Sequence, residues 1–151
     1  NLYVENGNRS DARMAFQSLL NRYPSSTAAD KARLGLVRID IAEGNFETAQ
    51  KQAQDIATAH TDEIGAEAQY LSGVAYASAK DWKNALTALM RVKYVFPSYE
   101  HWVAKSCVAT GDAYVSSGDT RKAKEAFRSA LKFKQETDVV AEAEKRLKQL
   151  E

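Results

Sequence analysis

Residues 73–97 read GVAYASAKDWKNALTALMRVKYVFP and contain two apolar helical stripes separated by a short polar turn. Tyr76 belongs to the first stripe, while Ala85 and Leu89 stand four residues apart on the second. Residues that far apart lie on the same face of a helix. Residues 80–81 form the turn between the stripes. The stretch therefore predicts a helical hairpin, that is, two antiparallel helices that pack against each other.

Short turns of similar composition recur along the chain. They are Gly7 with Asn8, Gly44 with Asn45, Lys80 with Asp81, and Gly118 with Asp119. Successive turns start 37, 36 and 38 residues apart. Glycine ends a helix in the left-handed conformation without steric strain, and Asn or Asp caps the following helix through its side-chain oxygen. Lys80 would take that conformation at a cost of about 1 kcal/mol, so we expect its turn to differ locally.

Side chains recur at fixed distances from these turns. The second helices carry Ala12, Ala49, Ala85 and Ala123, followed four residues later by Phe16, Ala53, Leu89 and Phe127. The first helices carry Tyr3, Asp40, Tyr76 and Tyr114, with Gly73 and Gly111 three residues before two of the tyrosines. We expect those two glycines to admit a neighbouring helix. Trp82, Tyr76, Phe16 and Phe127 are expected in the core. Repetition at this period predicts an array of hairpins.

This order of residues resembles the tetratricopeptide repeat (TPR). The resemblance implies an all-α fold, a right-handed α-α superhelix of antiparallel helical hairpins. We expect a partial first repeat at 1–24, a degenerate second at 25–61, a third at 62–98, a fourth at 99–135 and a capping helix at 136–151. Helices are expected over 8–22, 27–42, 46–59, 63–79, 82–95, 99–117, 120–133 and 138–150.

Composition and motifs favour a binding role over chemistry. The chain has 21 Lys and Arg against 20 Asp and Glu, so nothing in its charge predicts nucleic-acid binding. No apolar run approaches the roughly 18 residues of a membrane span, and no direct insertion is expected. His60 and His101 fit no metal-ligand spacing, and Cys107 is expected as a buried core thiol. We therefore expect no cofactor, no metal and no enzymatic activity.

The resemblance places a protein-binding groove on the concave side, lined by the first helix of each hairpin. The expected groove residues are Leu34, Arg38, Ile41, Tyr70, Val74, Ala77, Val108, Asp112 and Val115, with Lys145 and Gln149 added from the last helix. Most of these are aliphatic, which argues against a clamp for a terminal carboxylate. An amphipathic helix or an extended peptide fits such a groove better, with Arg38 and Asp112 as polar anchors.

Three roles remain open at this point. The first is an interaction scaffold, as part of a larger TPR protein. The second is a structural spacer or the helical accessory domain of a larger enzyme, and the third is an RNA-associated module. Residues 22–36 also resemble the long repeats of bacterial envelope TPR proteins, such as the periplasmic Tol-Pal coordinator and the outer-membrane assembly lipoprotein. That likeness suggests the periplasm or cell envelope, with the cytoplasm as the alternative.

Overall fold

The computed structural model describes residues 8–151, and these form eight α-helices without a β-strand. The helices are α1 (Arg9–Arg22), α2 (Thr27–Glu43), α3 (Phe46–Ala59), α4 (Glu63–Ser78), α5 (Trp82–Val95), α6 (Glu100–Ser117), α7 (Thr120–Ala130) and α8 (Thr137–Gln149). Tyr3 and Gly7, which the sequence assigns to a first helix and its turn, lie outside the described residues. None of the described helices is long and apolar enough to cross a membrane.

The turns within the hairpins share one backbone conformation. Gly44 and Gly118 have φ angles of 82° and 91°, and Lys80 also enters the left-handed region with a φ of 61°. Each turn closes with the same hydrogen bond, as where the Asp81 N–H donates to the Tyr76 carbonyl at 3.0 Å. The expectation that the Lys80 turn differs is therefore wrong. Packing of the two helices outweighs the left-handed cost of about 1 kcal/mol.

The two aspartates in the turns cap the following helix through their side chains, whereas the two asparagines do not. Asp81 accepts a hydrogen bond from the Asn84 backbone at 3.3 Å, and Asp119 accepts one from Lys122 at 3.0 Å. Asn8 and Asn45 make no such bond. The capping prediction is thus correct at two of the four positions, Asp81 and Asp119, and wrong at Asn8 and Asn45.

Three successive clusters along the chain form the core. The first joins α2, α3 and α4 and includes Leu34, Val37, Ile56 and Leu71. The second joins α4, α5 and α6 and includes Ala66, Val92, Phe96, Trp102 and Val103. The third joins α7 and α8 through Ala123, Phe127, Ala130 and Ala143, and partly buried residues of α6 pack against it. Each helix buries its apolar face against its neighbours in sequence, as in a solenoid. The predicted all-α superhelix is confirmed.

Within two of the hairpins, a glycine on the first helix makes room for a large side chain of the second helix. A Cβ atom at Gly73 would lie 2.5 Å from Leu89, and one at Gly111 would lie 2.3 Å from Phe127. The expectation of close approach at these glycines is confirmed. Gly35 plays the same part between successive hairpins, because a Cβ there would lie 2.4 Å from Phe16.

Helix α7 ends at Ala130, three residues before the predicted end. Leu131 packs on the third cluster, whereas Phe133 packs on the second. A continuing helix would point these two side chains about 200° apart, since it has 3.6 residues per turn. The non-helical connection lets both side chains pack, partly buried, and brings the chain back to α8.

Candidate functional site

A groove of about 520 Å³ lies between α4, α6 and α8, with the start of α5 at its rim. Its apolar part is formed by Tyr70, Val74, Ala77, Val108, Ala109 and Ala113. Its charged part is formed by Lys105, Asp112, Asp138, Glu142 and Arg146. These helices are the inner layer of the array, because α4 packs on α6 and α6 packs on α8.

The sequence-predicted residues divide between this groove and other places. Tyr70, Val74, Ala77, Val108 and Asp112 are brought together in the groove. Val115 is 42% exposed and lies beyond the groove lining. Lys145 and Gln149 line a separate depression on another face of α8. The groove thus contains the residues predicted from α4 and two of those predicted from α6, but neither Val115 nor the residues predicted from α8.

The residues predicted from α2 are not part of this groove. Leu34 is only 1% exposed and belongs to the first core cluster, against which Ile41 also packs. The prediction of a concave-surface position is therefore wrong for Leu34, which is buried. It is only partly correct for Ile41, which is partly buried. Arg38 borders a different depression between α1 and α2 and is paired with Glu67 of α4. Since α1 and α4 both pack on α2, little of its inner face stays open.

Several groove residues were missed from the sequence. Lys105 stands one helical turn before Val108, so the 3.6-residue period could have identified it. Asp138, Glu142 and Arg146 are spaced four residues apart on α8, and this stripe was a second available signal. Trp82 was expected in the core, but it is only half-buried and lines the groove.

Tyr70 and Lys105, which line the groove, form an aromatic and cationic cluster with Trp102. The rings of Tyr70 and Trp102 lie 5.5 Å apart at 43°. The Lys105 Nζ atom lies 5.4 Å from the centroid of each ring. Burial lowers the pKa of Lys105, and the charge of Arg38 lowers it further. Burial also raises the pKa of Tyr70. The ring faces partly offset the loss of water around the ammonium group.

Ion pairs cross-link the inner helices. Arg146 of α8 donates to Asp112 of α6 at 2.8 Å and pairs with Glu142 at 2.6 Å. The hydrogen bond to Asp112 raises the pKa of Arg146. One guanidinium therefore serves two carboxylates, which leaves the α8 side of the groove with excess negative charge. Asp112, expected to anchor a ligand, is already engaged within the chain.

Cys107 lies on α6 and packs partly buried against the third cluster. Burial raises the pKa of its thiol, while Lys93 and Lys132 act in the opposite direction. Because the thiolate is the nucleophilic form, a raised pKa makes this cysteine a poor nucleophile. The prediction of a buried core thiol is therefore only partly confirmed, because Cys107 packs against the core but is not fully buried.

Comparisons with known proteins agree with this architecture. The model of a tetratricopeptide repeat-like domain matches residues 1–150. The crystal structure of MamA is similar, with a TM-score of 0.63 and 22% identity over 98% of this chain and 90% of that chain. A tetratricopeptide repeat protein from Parabacteroides merdae ATCC 43184 also has a TM-score of 0.63, at 14% identity. That match covers 98% of this chain and 56% of the other. No curated protein matches the sequence.

The two structural likenesses are below 25% identity and show a shared fold. Proteins of this fold commonly act as interaction scaffolds and are generally non-catalytic. The family is assigned from the sequence model of the family, which matches nearly the whole chain. The chain belongs to the tetratricopeptide repeat-like domain family.

Proposed function

We propose that this chain is a non-catalytic scaffold that binds a segment of another protein in the groove between α4, α6 and α8. The observation that carries the proposal is the groove floor, where Ala77, Val108, Ala109 and Ala113 present small apolar side chains towards an open cavity. Small side chains let the backbone of a ligand come close, and apolar surface that remains partly open favours association.

The floor favours an amphipathic helix or an extended segment as the ligand. Such ligands bind an apolar groove through side chains on one face, at helical or alternating spacing. Trp82 and Tyr70 stand at the groove and supply large, rigid contact surfaces of the type enriched among residues that dominate binding energy.

The charges along the groove give the ligand a preferred orientation. Asp138 and Glu142 add negative charge on the α8 side beyond what Arg146 neutralises, whereas Lys105 is a cation on the α6 side. A segment with a basic residue towards α8 and an acidic residue towards Lys105 complements this arrangement. Charges placed in this way contribute more to specificity and association rate than to affinity.

Photo-crosslinking in cells that express the protein tests the proposal. A benzophenone amino acid replaces Ala109 in the groove or, as the control, Met90, which is 53% exposed on α5. We expect the Ala109 position to yield a discrete crosslinked protein that the Met90 position does not. Mass spectrometry then identifies the crosslinked segment, which can be synthesised for affinity measurements.

A matched pair of substitutions completes the test. Ala77→Arg fills the groove, whereas Ala59→Arg introduces the same side chain at an exposed site on α3. We expect Ala77→Arg to weaken binding of the identified segment at least tenfold and Ala59→Arg to leave it unchanged, with both variants helical by circular dichroism. Equal crosslinking from Met90, or full affinity in folded Ala77→Arg, would contradict groove binding.

A further inference from the structure

Three side chains with metal-binding atoms converge where α6 begins and α8 begins. They are His101 in the first turn of α6, Glu136 just before α8 and Asp138 in the first turn of α8. One ligand atom from each lies within 4.8 Å of the other two. The His101 Nδ1 atom is 2.5 Å from the Glu136 Oε2 atom. Sequence spacing does not reveal this cluster, because 35 residues separate His101 from Glu136.

The carboxylates of this cluster are poorly neutralised. Glu136 occupies the N-cap position of α8 but makes no side-chain capping bond, and its carboxylate turns to His101 instead. Asp138 forms no ion pair within 4.0 Å among residues 8–151. Lys105 acts on Asp138 only from a longer distance. Two carboxylates thus share one imidazole, and a divalent cation would relieve their mutual repulsion.

We propose that His101, Glu136 and Asp138 bind a divalent transition-metal ion of the Zn²⁺ type. One imidazole nitrogen with carboxylate oxygens is a donor set that such ions accept. Ca²⁺ fits less well, since it takes about six to eight oxygen ligands. Bond lengths of about 2.0–2.2 Å place ligand atoms roughly 3–4 Å apart. Small side-chain rotations would therefore bring all three atoms to one ion.

The position of His101 favours this role over that of the other histidine. The His101 ring packs edge-on against Trp102, with centroids 5.0 Å apart and planes at 84°, and Trp102 is buried. His60 also lies near two carboxylates. However, Asp30 is 3.6 Å from its Nε2 atom and Asp62 is 3.5 Å from its Nδ1 atom. Ligands on opposite ring nitrogens cannot share one ion, so His60 provides a matched control.

Three protein ligands leave coordination positions for water or another group. Asp138 also lines the groove between α4, α6 and α8. The bound ion would therefore lie at the rim of that groove and join the start of α6 to the start of α8. Binding of the ion does not require that the groove hold a protein segment.

Isothermal titration calorimetry of the chelator-treated 151-residue chain with Zn²⁺ tests the proposal. We expect one ion per chain, and at least tenfold weaker binding for Glu136→Gln and for Asp138→Asn. We expect His60→Ala and Cys107→Ser to bind as the parent chain does. As a second readout, Zn²⁺ should raise the midpoint of thermal unfolding of the parent chain, because it binds only the folded state. That rise should be absent in Asp138→Asn.

Several results would overturn the site. These are no binding at millimolar Zn²⁺, unchanged affinity in folded Asp138→Asn, or loss of binding on replacing His60 or Cys107. Asp138 is exposed, so its substitution is not expected to disturb folding. That variant therefore decides the matter even if Glu136→Gln is unstable.

Discussion

The crossing of α6 and α7 depends on one missing side chain, and Gly111→Ala tests this directly. A Cβ atom at position 111 would lie 2.3 Å from Cε1 of Phe127. Gly111 is buried, and Phe127 is fully buried at the centre of the third cluster. Neither the ring nor the helix can move without disturbing packed neighbours.

Two effects of opposite sign compete in Gly111→Ala. Alanine favours a helix interior over glycine by about 1 kcal/mol. Overpacking a filled core costs about 1–3 kcal/mol, and at 2.3 Å we expect the upper part of that range. The net result is a loss of about 1–2 kcal/mol. Replacing Phe127 with leucine removes the ring atoms in conflict, so that only the helix-favouring effect of alanine should remain.

A double-mutant cycle measures this coupling. Urea unfolding of the parent, Gly111→Ala, Phe127→Leu and the double variant is followed by circular dichroism. We expect Gly111→Ala to destabilise the parent and to stabilise the Phe127→Leu background, which gives a coupling energy of about 2–3 kcal/mol.

Gly118→Ala is the matched control for this cycle. Gly118 has a φ of 91° and no atom within 4 Å of the position of an added Cβ. Its substitution should therefore cost stability through backbone conformation alone, and Phe127→Leu should not relieve that cost. The steric explanation would be refuted if the single variant Gly111→Ala were more stable than the parent. It would also be refuted if the effects of Gly111→Ala and Phe127→Leu on the free energy of unfolding added within about 0.5 kcal/mol.

Two further predictions concern the core and the turns. Leu34→Ala should lower the free energy of unfolding by about 2–5 kcal/mol, because it leaves a cavity in the first cluster. Val115→Ala should change it by about 0.5 kcal/mol or less. Similar urea midpoints for these two variants would contradict the burial of Leu34. Asp119 accepts a backbone hydrogen bond from Lys122 that holds the pKa of its carboxyl below the usual value. Its ionised form therefore adds stability above the unfolded pKa of about 4, and this is lost as the pH falls through the lower folded pKa. The urea midpoint of the parent should exceed that of Asp119→Asn at pH 7, with the difference closing below about pH 4, and a difference independent of pH would contradict this.

Much of the fold was predictable from residues that act locally. Gly44 and Gly118 end their helices in the left-handed conformation, because glycine alone takes it without strain. Gly73 and Gly111 mark helix crossings, and the fixed positions of Ala85 and Phe127 relative to their turns place them in the core. The absence of a side-chain capping bond at Asn45 was not predictable in this way, because its Nδ2 atom lies 3.5 Å from Asp40 of the preceding helix instead.

The candidate site was predictable only in its middle. Tyr70, Val74 and Ala77 share one face of α4, and Val108 and Asp112 share one face of α6, so helical periodicity sufficed to group them. Periodicity could not show that α2 is covered on both sides, which buries Leu34.

The sequence by itself determined the helices, the turns and the stacking of hairpins, because these depend on apolar spacing and on residues with special backbone freedom. Only the tertiary structure decided which inner faces stay open. The tertiary structure also brought His101 to Glu136 and Arg146 to Asp112, although each pair is more than 30 residues apart in sequence. The physical reason is that a side chain's own helix sets its direction, whereas the packing angles of its neighbours set what it meets.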